Sequence, residues 1–267
     1  LKILKKESLI NFIKTNSRDA LKFLNMKGIE LQIKEIKTSL DSLSKTVNEN
    51  KNYERVHRGN AFNKNFSIIL SSLEDISVFA ERLDLNINQS IEVERIIQHR
   101  IKKEDKDVIT AEGQRLRKVG GKLNRFNQTD FKALYIFSKI FLDRYTKLFC
   151  FLLPWRGISS SSITKFFHSL ENYNNNDPLA IDFIKKYLKR LKAVDVFLTS
   201  YRDKFIVHAE FDNLNGTWFM NHMNGKIQFV HPSRPSVAPE EIIFVVKNYI
   251  VLSSKFIVDN WAEISKQ

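Results

Sequence analysis

Asp177-Pro178-Leu179-Ala180-Ile181-Asp182-Phe183-Ile184-Lys185-Lys186-Tyr187-Leu188-Lys189-Arg190-Leu191-Lys192-Ala193-Val194-Asp195-Val196-Phe197-Leu198 is the stretch whose reading sets the fold class. Its apolar residues Ile181, Ile184, Leu188, Leu191, Val194 and Leu198 recur at steps of three and four, the period of one helix face. Lys185, Lys186, Lys189, Arg190 and Lys192 occupy the other face, either as a solvated surface or as contacts for phosphates. The start is written into the chain as well. Asp177 suits the capping position and Pro178 the first helical residue, after the polar run Asn174-Asn175-Asn176.

The same helix runs on into Tyr201-Arg202-Asp203-Lys204-Phe205-Ile206-Val207-His208. Leu198, Tyr201, Phe205 and His208 continue the apolar seam at +3, +4, +3, with Arg202 beside it. A guanidinium is a rigid fork for phosphate oxygens, and an imidazole moves protons near neutral pH. On one unbroken helix, Arg202 and His208 would stand roughly 120° apart and about 9 Å apart along the axis. A single helix therefore does not aim both at one phosphate. Either the helix ends near His208 or a second copy of the chain completes the site.

The segment Arg202 to His208 resembles the signature of the HEPN superfamily: Arg, four to six residues, then His, with a polar residue after the Arg, here Asp203. The resemblance covers about the C-terminal half of the chain. It implies a homodimer that joins two such motifs in a cleft, and metal-independent RNA cleavage with no cofactor. It implies Arg202 and His208 as catalytic residues, with Asp203 and Lys204 as substrate-binding residues beside them. Lys204 reads equally as a surface cation. One departure stands out: members controlled by nucleotidylation carry Tyr two residues after the His, and here that residue is Glu210. A toxin or antiphage-defence role, with an antitoxin or regulatory partner, is implied by the resemblance alone. The alternatives are a catalytically silent RNA- or nucleotide-binding protein of the same fold, and a helical protein-interaction module.

Composition agrees with a helical protein. Only 8 Gly and 5 Pro occur in 267 residues, too few for a sandwich with many tight turns. The formal charge of +13 points to a polyanionic partner, nucleic acid before membrane, although solubility alone also accommodates it. The charge is spread: residues 1–126 carry 25 basic and 17 acidic groups, the remainder 18 and 13. One cysteine, Cys150, excludes an internal disulfide framework and a cysteine-based zinc site. A reducing cytoplasm is the expected compartment. The chain begins at Leu1 without a methionine, and Leu1 to Lys6 lacks the continuous apolar core of a signal peptide. Lys139, Asp143, Arg144 and Lys147 interrupt the apolar stretch Leu134 to Trp155, which makes it a buried amphipathic helix rather than a membrane span.

Elsewhere the chain reads as helices joined by polar breaks. Leu9, Ile13, Ala20 and Leu24 suggest helix in residues 1–24, and Ile29, Ile33, Ile36, Leu40, Leu43 and Val47 form a clean stripe. Tyr53 to Gly59 reads as a surface segment. A helix is expected over Phe66 to Leu83, an interruption at Asn86 to Asn88, and a further helix from about Ser90 to Ile101. Arg115, Arg117, Lys118, Lys122 and Arg125 bracket Gly120-Gly121. This run is either a backbone-tracking patch or a solvated linker, and the paired Gly favours a loop. Asn127 to Asp130 offers the next helix start, Pro154 its end, and Ser159 to Ser162 a turn and cap. No phosphate-cradling glycine motif occurs. Thr217-Trp218-Phe219-Met220 and Lys226-Ile227-Gln228-Phe229-Val230 flank Asn224-Gly225, a hairpin turn. A metal site on His222 and His231 would need further ligands. Pro239-Glu240-Glu241 opens a last helix, almost wholly apolar through Ile257.

The expectation is thus an all-α helical bundle with a small β-hairpin, about 217–231, inserted between the motif helix and the final helix. Residues 1–126 form an N-terminal helical region, separate or part of the same bundle, and 127–267 the HEPN-like part.

Overall fold

The computed structural model describes residues 26–51, 53–104, 111–153, 155–174, 176–201, 219–223, 226–231 and 234–266. Helices make up nearly all of it: α1 (Met26–Glu49), α2 (Glu54–His57) with a 3-10 turn (Arg58–Asn60), α3 (Ala61–Glu104), α4 (Ala111–Leu152), α5 (Ile163–Glu171), α6 (Pro178–Tyr201) and α7 (Pro239–Ile264). The protein is all-α in class. Three short strands, β1 (Phe219–Met223), β2 (Lys226–His231) and β3 (Arg234–Val237), pair antiparallel in the order β1-β2-β3, with Phe219 opposite Val230 and Met223 opposite Lys226. No described helix is long and apolar enough to cross a membrane.

The chain divides into two compact units. One takes in α3 from Phe79, α4 up to Ala133, and the three strands; the other takes in α1 from Gly28, α2, the first part of α3, α4 from Leu134, α5, α6 and α7 from Glu240. The division drawn from sequence at residue 126 falls inside α4.

The second unit owes its core to the periodic stripes. Ile29, Ile36, Leu40, Leu43 and Val47 of α1 are buried, as are Phe66, Ile69, Leu73 and Ile76 of α3. At its centre is an aromatic nest. Phe183 of α6 lies 5.0 Å from Phe256 of α7 and 5.2 Å from Phe149 of α4, centroid to centroid, and Trp155 is 5.5 Å from Phe183. Phe166 of α5 meets Phe149 edge-on at 5.7 Å. Such tilted and edge-on pairs are the arrangement that ring quadrupoles favour, worth about 0.5–1.5 kcal/mol each beyond area burial. Tyr53 and Val56 are buried too, with Tyr53 6.1 Å from Trp261, and the Arg55 guanidinium donates to the Phe151 carbonyl. Tyr53 to Gly59 thus keeps the exposed polar residues of a surface segment, Glu54, Arg55, Arg58 and Gly59, while Tyr53 and Val56 anchor it in the core.

In the first unit, two sequence breaks prove to be helix interior. Asn86 and Asn88 sit within α3, where Asn86 Nδ2 donates to Asp130 Oδ2 (2.9 Å) and Asn88 Nδ2 to Asp84 Oδ1 (3.0 Å). Gly120-Gly121 and Asn127 to Asp130 lie within α4, so neither a loop nor a helix start occurs there. Asn127 and Asp130 are buried: Asn127 Nδ2 reaches Ser90 Oγ (2.9 Å), and Asp130 pairs with Arg82 at 3.0 Å. Burial pushes the Asp130 carboxyl above its ordinary value, with Arg82 and then Asn86 pulling the other way. At Gly120 a Cβ would stand 3.6 Å from Val93 Cγ1, so α3 and α4 approach closely there.

Gly121 is different. It is exposed, and a Cβ there would meet nothing. Glycine in a helix interior is less favourable than alanine by roughly 0.5–1 kcal/mol. Gly121→Ala is expected to stabilise the fold by about that amount, read as a higher urea midpoint at unchanged slope.

Candidate functional site

The site residues expected from sequence, Arg202, Asp203, Lys204 and His208, lie outside the described residues, as does Glu210. The helix that delivers them is fully defined. Asp177 Oδ1 accepts from Leu179 N (2.9 Å) and Ala180 N (3.1 Å), and Pro178 is the first residue of α6, as its sequence dictates. The helix then runs 24 residues to Tyr201, the residue immediately before Arg202. Its core face is Leu179, Ala180, Phe183, Leu191, Val194 and Leu198, all buried. Lys185, Lys186, Lys189 and Arg190 are exposed, with Lys186 bonded to Asp182 at 2.9 Å.

The position of α6 is set by a polar knot that periodicity did not reveal. Lys139 of α4 is buried, its side chain 2% exposed. Its Nζ lies 2.9 Å from Asp143 Oδ1 and 3.6 Å from Asp195 Oδ1 of α6. Thr164 of α5 donates to Asp195 Oδ1 (2.9 Å), and the Ile163 N–H at the first turn of α5 donates to Asp143 Oδ1 (2.9 Å). One ammonium and two carboxylates thereby join α4, α5 and α6, and the backbone N–H of a helix start adds to the satisfaction of Asp143. Asp195 stands two helical turns before Arg202 in sequence.

A second network holds α4 to α7. Tyr145 Oη lies 2.8 Å from Ser254 Oγ and accepts from Ser253 Oγ (3.1 Å), while Thr146 Oγ1 lies 2.9 Å from Tyr249 Oη. Burial raises both phenols, Tyr145 to about 12, against the lowering effect of the Ser253 and Ser254 bonds. Nearby, burial pushes the Cys150 thiol up to about 12. These groups stay protonated at neutral pH and serve as neutral packing and hydrogen-bonding elements. Among the described residues, no group of three or more His, Cys, Asp or Glu is placed to hold a metal ion.

On the outer side of α6 lies an open groove of about 700 Å³, floored by Ile184, Leu188, Val196 and Phe197 and edged by Lys192 and Glu171, which are ion-paired with each other. Val196 is 54% exposed in it. The groove follows the helix towards Tyr201.

The basic run of the sequence also has a defined place. Arg115, Arg117, Lys118, Lys122 and Arg125 are all exposed on α4.

No family model matches the chain, and no curated protein or solved structure matches it.

The knot yields a graded expectation. Lys139→Met leaves the buried Asp195 and the half-buried Asp143 without their cation and should destabilise the fold by roughly 3 kcal/mol. Asp195→Asn leaves Lys139 with its nearer partner, Asp143, and should cost about 1–2 kcal/mol. Urea unfolding of the two variants beside the parent protein measures both; equal losses would mean that Asp195 matters as much to Lys139 as Asp143 does.

Proposed function

We propose that the chain is a metal-independent endoribonuclease of HEPN type, acting as a homodimer, with Arg202 and His208 as its catalytic pair. The observation that carries this reading is the signature Arg202 to His208 following directly on α6, a capped helix that the Lys139–Asp195 contact holds in place. The all-α class agrees with the superfamily, and the β1–β2 pair is read as the hairpin inserted between the motif helix and the final helix. The groove on α6, with Val196 exposed in it, suits a second copy of the chain, one of the two ways by which the angular separation of Arg202 and His208 is met, the other being a helix that ends near His208.

The chemistry follows from RNA itself. The 2′-OH is a nucleophile beside each phosphodiester. A base removes its proton as the O2′–P bond forms, and an acid protonates the 5′-oxygen as the P–O5′ bond breaks. The products are a 2′,3′-cyclic phosphate and a 5′-hydroxyl. His208 from two chains supplies base and acid, and Arg202 stabilises the charge that gathers on the phosphate. Asp203 and Lys204 hold the substrate beside it. A role as a toxin or antiphage effector, with an antitoxin or regulator as partner, belongs to the same reading, as does a cytoplasmic location.

Labelled RNA incubated with the protein in EDTA tests it. The expected result is cleavage to fragments with 5′-hydroxyl ends, lost in both His208→Ala and Arg202→Ala, with DNA left uncut. RNA retained without cleavage supports a silent binding protein of the same fold. Equal cutting of DNA and RNA overturns the mechanism, since DNA lacks the internal nucleophile.

A further inference from the structure

Helix α4 carries a second feature, in the other compact unit and with no part in the chemistry above. At 100° per residue, Arg125, Lys118, Lys122 and Arg115 fall within one narrow arc of the helix. Val119 and Phe126 lie at the edge of the same arc, 40% and 53% exposed. Gly120 and Asn127 fall on the opposite side, with Leu123 between them and the Val119 edge, and this is the side that packs: Leu123 and Asn127 are buried, and Gly120 faces Val93 of α3. The cations therefore point away from the helix pair. Among the described residues none of the four has an acidic partner within ion-pair distance, whereas Arg82 and Arg95 of the same unit do, with Asp130 and Glu92.

Four cations spread over about 15 Å of helix, with no acidic partner among the described residues, are a template for a chain of regularly spaced anions. Val119 and Phe126 are too little apolar surface to enter a bilayer, but one exposed ring is what a single unpaired base needs for stacking. Neither a lysine nor an arginine on such a face reads the sugar, so the shared chemistry of RNA and DNA single strands is recognised. We propose that this face of α4, Arg115, Lys118, Lys122 and Arg125 with Phe126, binds single-stranded nucleic acid through its phosphates and one stacked base. The surface stands on its own residues and does not depend on the ribonuclease reading.

The test uses the full chain carrying His208→Ala, so that cleavage does not intervene, with fluorescent oligo-U and oligo-dT as probes and anisotropy as readout. Both strands should bind with affinities within a few-fold of each other. Replacing Arg115, Lys118, Lys122 and Arg125 together by Gln should flatten the plot of log affinity against log salt by about 3, and Lys122→Gln alone by about 0.7. Phe126→Ala should weaken either single strand roughly ten- to hundred-fold and leave binding to a DNA duplex, whose bases are already stacked, unchanged. All five side chains are exposed, so helicity and the unfolding midpoint should stay at parent values. An unchanged salt slope in the four-fold variant and in Lys122→Gln overturns the proposal. So does an equal effect of Phe126→Ala on duplex and single strand, or tighter binding to phosphatidylserine vesicles than to either oligonucleotide. Cleavage plays no part in these outcomes, so a failure here leaves the nuclease reading to its own experiment.

Discussion

An ammonium group placed where water does not reach must find carboxylates, and in this protein that demand falls on Lys139. Moving a charge out of water is so unfavourable that only close, well-directed partners make it tolerable. Asp143 answers from the same helix and Asp195 from α6, while Thr164 and the start of α5 donate further hydrogen bonds to the same two carboxylates. The aromatic nest beside it buries more surface, but ring packing tolerates small rotations of a helix about its axis. A hydrogen-bonded charge does not. The knot therefore selects one rotation and one height for α6 out of several that the apolar seam would accept.

On the proposed ribonuclease reading that selection bears on function, because in sequence α6 is followed directly by the Arg202–His208 signature. Phosphoryl chemistry is sensitive to misplacement of its groups by as little as an ångström. A rigid, capped and charge-locked helix is the kind of support on which such groups are held. The hydroxyl network of Tyr145, Ser253 and Ser254 serves α7 in the same manner, with neutral groups in place of charged ones. Directional contacts on two sides of α4 make that helix the reference to which α5, α6 and α7 are aligned.

Much of the fold was legible in the residues. The stripe of α1, the apolar faces of α3 and α7, and the Asp177–Pro178 start of α6 all follow from spacing and capping chemistry, because each is a local rule. Failures came where a local cue was overruled by a distant partner. Asn86 looked like a break until Asp130 gave its amide a carboxylate, and Asn127 looked like a cap until Ser90 gave it a hydroxyl. Gly120-Gly121 looked like a loop, yet both lie inside α4, with Gly120 turned to Val93 of α3. Tyr53 to Gly59 read as surface, and most of it is; what the sequence did not show is that Tyr53 and Val56 reach the core. Of the proposed site, only the two-residue signature could be read. Residues 139, 143, 164 and 195 share no period, so the knot becomes visible only once α4, α5 and α6 are side by side. The cationic arc on α4 was half legible: the charges were plain, but their common direction required knowing that the helix runs unbroken through the glycines.

The thiol of Cys150, raised to about 12 by its burial, has a practical meaning for anyone who handles the protein. Alkylating reagents and oxidants attack the thiolate, the form that the raised pKa disfavours at pH 7. A cysteine introduced on the surface can then take a dye or a spin label selectively while the native one stays silent. Distances between such labels become accessible without altering a single residue of the native interior.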